Sequence, residues 1–410
     1  MIRTLYNFSD VEYVTQEPLI FDSLESLIPY RPFSVESLLF LQEIGVRILR
    51  DKRARSYPDL IAFAFWSSRS NLNQIRNGLN VDHFPIGRGV VFHVTPGNVP
   101  MNFAYSLATG LLTGNINIVK VSSRTFDQVD IFIEHLNLVL EDPSYSIWRR
   151  RIFLLRYGHI REINDVLSSM CDVRIIWGGD KSVNEIRKSP LKPKSYDLVF
   201  ADRFSFCAIK STEYLSSLSK ERIATNFYND SYLLDQNACT SPHLIVWIGD
   251  SDINLSARKI FRDHLSRLTK TKFQMMPFQS SAKITAAYRA AANNRGSRID
   301  ANQDGTIVSV VFNNLPVNIE DLRSNSGFFL EVSLASLTDL VPVVTRNFQT
   351  MSQYGFDHDE LSDFLSQNDL LGIDRVVPIG KTLDFSFFWD GYNLMSMLSR
   401  QVVLSQDNFV

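Results

Sequence analysis

One of the three cysteines in this 410-residue sequence lies in a setting that suits a reactive thiol. Cys239 belongs to the polar stretch "DQNACTSPH" (235–243), which comes directly before the apolar run "LIVWI". A partly exposed, polar environment favours the thiolate, the nucleophilic form of cysteine. Cys171 and Cys207 instead lie in apolar, strand-like segments, where a buried thiol behaves as a small hydrophobic group. We therefore expect Cys239 to be a nucleophile and the other two to be core residues.

Three further segments place glycine, hydroxyl and basic side chains where predicted strands end. They are "HVTPGNVP" (93–100), "IVKVSSR" (118–124) and "IWGGDKS" (176–182). Open α/β sheets bind ligands at the carboxyl ends of their strands, so these segments predict a binding site. Asn98 has a side-chain N–H that could stabilise an oxyanion, or its side chain could cap the following helix. Both interpretations are open at this point.

The composition is that of a globular protein. Hydrophobic residues make up 45%, charged residues 21%, and the formal net charge of −2 argues against a nucleic-acid partner. The longest apolar run, "LIAFAFW" (60–66), is far shorter than the roughly 20 residues of a membrane helix. The amino terminus lacks the apolar core of a signal peptide, and the three cysteines fit neither a disulfide framework nor a zinc site. We expect a cytoplasmic protein without a membrane span or a metal.

Periodicity gives the domain organisation. Apolar residues keep helical spacing from Val35 to Leu49, and from about residue 84 strands alternate with helices, which predicts parallel α/β sheets. Thr125 and Gln128 have the spacing of a capping box at one helix start. No G-x-G-x-x-G fingerprint is present. We expect a helical amino-terminal lead-in, a nucleotide-binding α/β domain, a catalytic α/β domain bearing Cys239, and a tail packed on the body, over residues 1–75, 76–206, 207–375 and 376–410 respectively.

In this order and spacing, the four segments resemble the aldehyde dehydrogenase superfamily, and most of all the LuxC-type fatty-acyl reductases of bacterial luminescence systems. The matching phrases are "PGNVP…GLLTGNINIVKVSS", "DQNACTSPH" and "LDFSFFWDGYNLMSMLSR", and the resemblance covers about 85–400. It implies an aldehyde dehydrogenase-like fold with two Rossmann-type α/β domains. It also implies that Cys239 carries the acyl group as a thioester and that Asn98 donates an N–H to the oxyanion.

The resemblance further implies a nicotinamide cofactor. Lys120 matches the lysine that contacts the adenosine ribose, but the glutamate that ordinary members place after it is replaced by Ser122-Ser123-Arg124. Because arginine pairs well with phosphate, this loop favours NADPH over NADH; an exposed basic turn without a ligand is the alternative. The expected cofactor-binding residues are Thr95, Pro96, Gly97, Lys120, Ser122, Ser123, Arg124, Gly178 and Gly179.

The sequence departs from the superfamily at two glutamates. The residue that activates water in hydrolytic members aligns with Val199 in "LVFAD" (198–202), which favours acyl transfer between thiols. The glutamate that binds the nicotinamide ribose has only a positional candidate, Glu331. His93 and His243 are expected to be structural, although His243 is close to Cys239 in sequence.

We therefore expect an NADPH-dependent reductase that converts acyl-CoA, or an acylated protein, to a fatty aldehyde through an acyl-cysteine. The resemblance implies a long acyl chain and, in luminescent systems, a complex with an acyl-protein synthetase and a thioesterase. Superfamily members form dimers or tetramers, so a homo-oligomer is also an open expectation. The alternatives are a CoA-acylating aldehyde dehydrogenase that works in the oxidative direction and a degenerate member that binds a nucleotide or a partner without catalysis.

Overall fold

The computed structural model describes residues 10–15, 24, 26–79 and 84–402. Residues 1–9, 16–23 and 25 of the expected lead-in, and residues 80–83 and 403–410, lie outside this description. Contacts divide the chain into unit 1, Met1–Ala201 with Phe385–Val410, and unit 2, Asp202–Asp384. The units meet in the chain at 201/202 and 384/385, whereas the domain limits predicted from the sequence are 206/207 and 375/376. The predicted limits stay predictions of where the domains begin and end.

The described amino-terminal region is mostly helical, as the sequence predicted, and contains three α-helices besides a short strand (Glu12–Tyr13) and a 3-10 helix (Arg53–Ser56). The α-helices are α1 (Val35–Arg50), α2 (Pro58–Trp66) and α3 (Arg69–Gly78). Helix α1 begins where the Ser34 hydroxyl accepts a hydrogen bond from the backbone N–H of Ser37 at 3.2 Å, a typical N-cap. Its apolar face buries Leu41, Ile44 and Ile48 in the core of unit 1, because these residues recur at helical spacing.

Unit 1 is built on a parallel sheet. Its order is β1-β5-β4-β3-β6-β7, and only β1 is antiparallel to its neighbour. The order reverses at β3, and such reversals leave a ligand-binding crevice at the carboxyl ends of the adjoining strands. The elements are β1 (Glu12–Tyr13), β2 (Phe84–Gly87), β3 (Val90–Val94), α4 (Asn102–Leu112), β4 (Ile116–Val121), α5 (Asp127–Glu141), β5 (Ile152–Arg156), α6 (Arg161–Met170), β6 (Val173–Trp177), α7 (Asp180–Ile186) and β7 (Tyr196–Phe200).

The predicted capping box at helix α5 is wrong. The N-cap residue is Phe126, and no side chain caps the helix. The Gln128 carboxamide instead donates a hydrogen bond to the Asp59 carboxylate at 3.3 Å. The Gln128 side chain therefore makes a tertiary contact instead of the helix cap that the local sequence predicted.

Unit 2 contains a seven-stranded sheet in the order β10-β11-β12-β9-β8-β13-β14, in which only β10 is antiparallel to its neighbour. Along β8, Phe206 and Ala208 pack in one apolar cluster while Cys207 and Ile209 pack in another, so both faces are covered. The elements are β8 (Phe204–Lys210), α8 (Ser211–Ser216), α9 (Lys220–Tyr232), β9 (Pro242–Ile248), α10 (Ser251–Lys272), α11 (Pro277–Ala292), β10 (Arg298–Ala301), β11 (Val308–Phe312), β12 (Phe328–Leu334), β13 (Phe348–Tyr354), α12 (His358–Gln367) and β14 (Arg375–Pro378).

The described carboxy-terminal segment packs on unit 1. It contains β15 (Phe388–Trp389), β16 (Tyr392–Asn393), α13 (Leu394–Leu398) and β17 (Ser399–Val402), and β17 pairs with β2. The Phe385 ring lies 5.2 Å from that of Tyr105, and the Trp66 indole donates to the Phe385 carbonyl at 3.1 Å. Asp390 and Gly391 both have positive φ, which suits the tight hairpin between β15 and β16. Across the described residues, every helix is too short or too polar to cross a lipid bilayer.

Candidate active site

Cys239 lies in a tight turn at the amino end of strand β9. The backbone N–H of Ser241 donates to the Ala238 carbonyl at 3.0 Å, and the cysteine between them is partly exposed. Cys171 and Cys207 are fully buried, which confirms the predicted contrast among the three thiols. Burial raises the pKa of Cys171 to about 12 and also raises the pKa of Cys207 well above its ordinary value. The accessible thiol is therefore the one at 239.

The buried side chain of Gln236 fixes this turn to the neighbouring strand β12. Its carboxamide nitrogen donates to the carbonyls of Pro242 and Phe328, each at 3.1 Å. Its carboxamide oxygen accepts from the backbone N–H groups of Gly327 at 2.7 Å and Phe328 at 3.2 Å. Four hydrogen bonds satisfy a buried amide fully and tie the residues before Cys239 to the amino end of β12.

The residues on either side of Gln236 add further attachments. The Asp235 carboxylate accepts from the Gln279 carboxamide at 2.8 Å and from the Ser326 hydroxyl at 2.9 Å. The Asn237 oxygen accepts from Asn325 at 2.9 Å. Asp235 and Gln236 both have φ near +50°, a left-handed conformation that costs non-glycine residues about 1–3 kcal/mol each. Such strain persists only where the surroundings hold it, and it is common at functional sites.

Two side chains from adjacent strands contact Cys239 directly. The Gln349 carboxamide nitrogen, on β13, donates to the Cys239 Sγ at 3.5 Å. The Ser205 hydroxyl, on β8, donates to the Cys239 carbonyl at 2.7 Å and accepts from the backbone N–H of Thr350 at 3.2 Å. Because β8 pairs with both β9 and β13, their amino ends converge at the cysteine. No local sequence signal indicates either residue, since only the strand order brings Ser205 and Gln349 to the cysteine.

Arg375 is a cation of unit 2 whose charge is attracted to that of the Cys239 thiolate. Its guanidinium donates to the carbonyls of Lys381 and Thr382 at 3.0 Å and of Asp384 at 2.8 Å. Burial lowers the pKa of Arg375 from its ordinary value, and attraction to Asp384, Asp230 and Cys239 opposes that effect. An arginine stays protonated in proteins, so Cys239 lies in the field of a fixed cation. This residue also escaped the sequence analysis, because it is 136 positions away from Cys239 along the chain.

His243 is structural, as expected. Its Nδ1–H donates to the Ser324 carbonyl at 3.1 Å, and burial lowers its pKa to about 4, helped by the Arg323 charge. The imidazole is therefore neutral near pH 7 and is held by a backbone acceptor.

Glu331 is not a ribose ligand. It is only 1% exposed and pairs with Arg258 at 2.7 Å and Arg262 at 3.2 Å, while the Trp247 indole donates to it at 3.0 Å. Burial alone would raise its pKa, but the two arginines hold the pKa of Glu331 below its ordinary value. Both carboxylate oxygens are used inside unit 2, so the positional suggestion is wrong.

In unit 1, the predicted cofactor residues lie together at the carboxyl ends of the strands. The Thr95 hydroxyl donates to the Lys120 carbonyl at 2.7 Å and so joins the ends of β3 and β4. A Cβ added at Gly97 would lie 3.2 Å from the Ser122 hydroxyl oxygen, which shows that the two loops approach closely. Strand β6, which ends just before Gly178, is the other parallel neighbour of β3. The strand ends that the sequence analysis selected are therefore adjacent.

Lys120 is oriented by the end of the next strand. Its ammonium lies 4.3 Å from the centre of the Tyr157 ring and donates to the Gly158 carbonyl at 3.2 Å. Burial lowers its pKa from the ordinary value. Ser123 and Arg124 are exposed, and the backbone N–H of Arg124 donates to the Ser122 hydroxyl at 3.1 Å. An ammonium at the end of β4, followed in the chain by two hydroxyls and an exposed arginine, supplies groups that can bind an anion and ribose hydroxyls.

The remaining predicted residues occupy the reversal of the sheet. Pro96 is half-buried and Asn98 is exposed. The N-cap of helix α4 is Met101, so the alternative that Asn98 caps this helix is wrong. The backbone N–H of Gly178 donates to the Phe200 carbonyl at 3.1 Å, and space within 4 Å of a Cβ at Gly179 is open. His93, in strand β3, is fully buried. Its Nδ1 lies 2.8 Å from the Ser106 hydroxyl and its Nε2 lies 3.0 Å from the Asn117 carboxamide oxygen, so it is structural as expected.

Comparison with solved structures identifies the fold. Aldehyde dehydrogenase 21 from Physcomitrella patens superposes with a TM-score of 0.66 at 11% identity, over 95% of this chain and 89% of that one. Lactaldehyde dehydrogenase from Escherichia coli gives 0.63 at 12% identity, over 93% and 88%. The fold is therefore that of the aldehyde dehydrogenases, as the sequence resemblance implied.

The chain belongs to the acyl-CoA reductase (LuxC) family, whose sequence model matches residues 78–401. It is 29% identical over 170 residues to a long-chain acyl-protein thioester reductase of Photorhabdus laumondii, covering 41% of this chain and 33% of that protein. It is 24% identical over 307 residues to a long-chain acyl-protein thioester reductase of Aliivibrio fischeri, covering 72% of this chain and 58% of that protein. The matched part is thus less than two thirds of the length of these relatives.

Proposed function

We propose that this protein is an NADPH-dependent reductase of acyl thioesters that releases a fatty aldehyde through an acyl-cysteine intermediate at Cys239. The observation that carries the proposal is the setting of Cys239. It is the partly exposed thiol of the three, its turn is fixed by a buried glutamine, and a carboxamide N–H donates to its sulfur at 3.5 Å. Such surroundings stabilise the thiolate and hold it still.

In the first half-reaction, the Cys239 thiolate attacks the thioester carbonyl. A carbon–sulfur bond to Cys239 forms, the bond to the donor sulfur breaks, and the donor leaves as a thiol after taking up a proton. The resemblance assigns stabilisation of the oxyanion to Asn98, whose carboxamide is exposed. One donor of this kind lowers the barrier by about 2.7–4 kcal/mol.

For the second half-reaction, a nicotinamide cofactor held by the strand ends of unit 1 would supply the hydride that reduces the acyl carbon. Cys239 then leaves as a thiolate, and the Gln349 N–H stabilises the returning negative charge. The product is an aldehyde, because the carbonyl carbon has gained a hydride and lost its bond to sulfur. No water is consumed in either half-reaction.

The residues of unit 1 fit a dinucleotide phosphate. Lys120 is held by Tyr157 and Gly158 at the end of its strand, where it would contact the adenosine ribose. Ser122, Ser123 and the exposed Arg124 would hold the 2′-phosphate of NADPH. A carboxylate at this position would repel that phosphate, and none is present. Close backbone approach would come from Thr95, Pro96, Gly97, Gly178 and Gly179.

The environment of Val199 supports transfer between thiols over hydrolysis. This residue lies in β7 and packs with Ile176 and Val183 in a small apolar cluster. A buried valine cannot activate water, so the acyl-cysteine is protected from this route. We propose the acyl donor to be acyl-CoA or an acylated protein, since the relatives of this chain are named acyl-protein thioester reductases.

The test is aldehyde formation from a series of acyl-CoAs in the presence of NADPH, with Cys239→Ala in parallel. We expect consumption of NADPH and release of aldehyde that depend on chain length and disappear in the variant. If acyl-CoA is inert, an acylated carrier protein replaces it as donor. Absence of aldehyde with both donors, or activity retained in Cys239→Ala, would overturn the proposal. Faster turnover of aldehyde, CoA and NADP⁺ than of the forward reaction would assign the oxidative direction instead.

A further inference from the structure

The Gln349 carboxamide is fixed so that its nitrogen faces the Cys239 sulfur. The residue is 2% exposed and lies near the amino end of β13. Its oxygen lies 3.4 Å from the Thr350 hydroxyl and 3.5 Å from the Ser205 hydroxyl. The Thr350 hydroxyl donates to this oxygen, whereas the single proton of the Ser205 hydroxyl goes to the Cys239 carbonyl at 2.7 Å. The amide N–H₂ is thereby directed to the sulfur, which accepts at 3.5 Å.

Ser205 couples this amide to the cysteine backbone. The same hydroxyl oxygen that faces the Gln349 oxygen donates to the Cys239 carbonyl at 2.7 Å. It also accepts from the backbone N–H of Thr350 at 3.2 Å. Strands β8 and β13 therefore set the relative position of the amide and the thiol, independently of the Gln236 attachment on the other side of the turn.

We propose that Gln349 is a positioning residue that donates an N–H to the Cys239 sulfur and stabilises the thiolate relative to the thiol. A hydrogen bond to a charged acceptor is stronger than the same bond to a neutral one. The bond therefore favours the ionised form and weakens once the sulfur is acylated. Arg375 acts in the same direction through its charge. Gln349 thus both activates the nucleophile and favours its departure when the aldehyde forms.

This inference rests on the proposed function for its role in turnover, but its test does not use turnover. The rate at which Cys239 exchanges with a small disulfide, 2,2′-dipyridyl disulfide, is measured from pH 5 to pH 10. Cys171 and Cys207 are fully buried, and Cys239→Ala supplies the background. The variant is Gln349→Met, which keeps the chain length and removes the N–H donor. Gln349→Leu is the second variant, in case one of the two folds poorly.

The matched control is Gln353→Met on the same strand. The Gln353 carboxamide oxygen accepts from the Phe356 backbone N–H at 3.3 Å, so the control removes a similar side chain with a different partner. We expect its pH profile to match that of the parent protein. Thermal unfolding of each variant checks that the fold is retained.

The expected result has two parts. Loss of the N–H moves the midpoint of the exchange profile to higher pH by about one unit. Because a more basic thiolate is also more nucleophilic, exchange below the midpoint slows about threefold while the plateau above it rises about threefold. A general loosening of the turn would not produce opposite changes on the two sides of the midpoint.

An unchanged midpoint in both Gln349 variants, or a midpoint moved to lower pH, would overturn the inference. The second result would mean that the carboxamide oxygen accepts from the thiol. Failure of the reductase assay with a shifted exchange profile would remove the proposed function and leave the role of Gln349 in place. An active reductase with an unshifted profile would remove the role of Gln349 alone.

Discussion

Replacing Gln236 by alanine is expected to destabilise unit 2 by about 3–5 kcal/mol. Four buried hydrogen bonds are lost, to the carbonyls of Pro242 and Phe328 and from the N–H groups of Gly327 and Phe328. Each such bond contributes about 1 kcal/mol net, and a buried group left unpaired costs about 1–3 kcal/mol. Entry of water into the space partly offsets the cost. Alanine and glutamine both carry a Cβ, so the backbone strain at φ +55° is unchanged.

Hydrogen exchange measures this effect locally, because amides in β9 and β12 open with unit 2 and report its free energy. We expect exchange in β9 and β12 to accelerate by roughly 10²–10³-fold in Gln236→Ala, the lower part of the range that 3–5 kcal/mol implies. The control is Gln353→Ala, which removes a half-buried amide with one backbone partner at 3.3 Å. It is expected to cost about 1 kcal/mol or less. A loss below about 1 kcal/mol in Gln236→Ala would refute the reasoning that this amide holds the turn.

Three further predictions follow from other parts of the structure. Arg124→Ala is expected to weaken NADPH binding about tenfold or more while leaving NADH binding nearly unchanged, as measured by fluorescence titration; equal losses for both cofactors would contradict a 2′-phosphate contact. Burial lowers the pKa of His93 to about 4. As the pH falls from 6.5 to 4, His93 therefore binds a proton in the unfolded chain but stays neutral in the folded protein. The free energy of unfolding should drop by up to about 3 kcal/mol over that range, and less in His93→Gln; parallel pH profiles would contradict this. Glu331→Gln leaves Arg258 and Arg262 without their shared carboxylate and is expected to cost about 3–5 kcal/mol in urea unfolding, whereas a loss under about 1 kcal/mol would show that water replaces it.

Local patterns were enough to predict the fold class and the position of the thiol. Strand–helix alternation is a periodic signal, and a cysteine in a polar turn before an apolar strand is visible within ten residues. The carboxyl-end rule then placed Thr95, Lys120 and Gly178 together before the strand order was known. These inferences depend on neighbours in sequence or on a rule for all parallel sheets.

What the sequence could not supply depends on strand order and tertiary contact. Gln349 and Ser205 reach Cys239 only because β8 and β13 are neighbours in the sheet, and no local signal states this pairing. Gln128 has the spacing of a capping box, but Asp59 offers its side chain another partner. Glu331 was a candidate for binding the nicotinamide ribose by its position in the sequence, yet in the core it pairs with two arginines from α10. In each case a distant residue determined the role of a local one.

The most direct test of the account is to look for the acyl-enzyme itself. The protein is incubated with a long-chain acyl-CoA, or with an acylated carrier protein, in the absence of NADPH, and its peptides are then analysed by mass spectrometry. We predict one acyl group on the peptide containing Cys239, sensitive to hydroxylamine and released as aldehyde when NADPH is added. Acylation of Cys171 or Cys207 instead, or an unmodified Cys239 with both donors, would contradict the central claim.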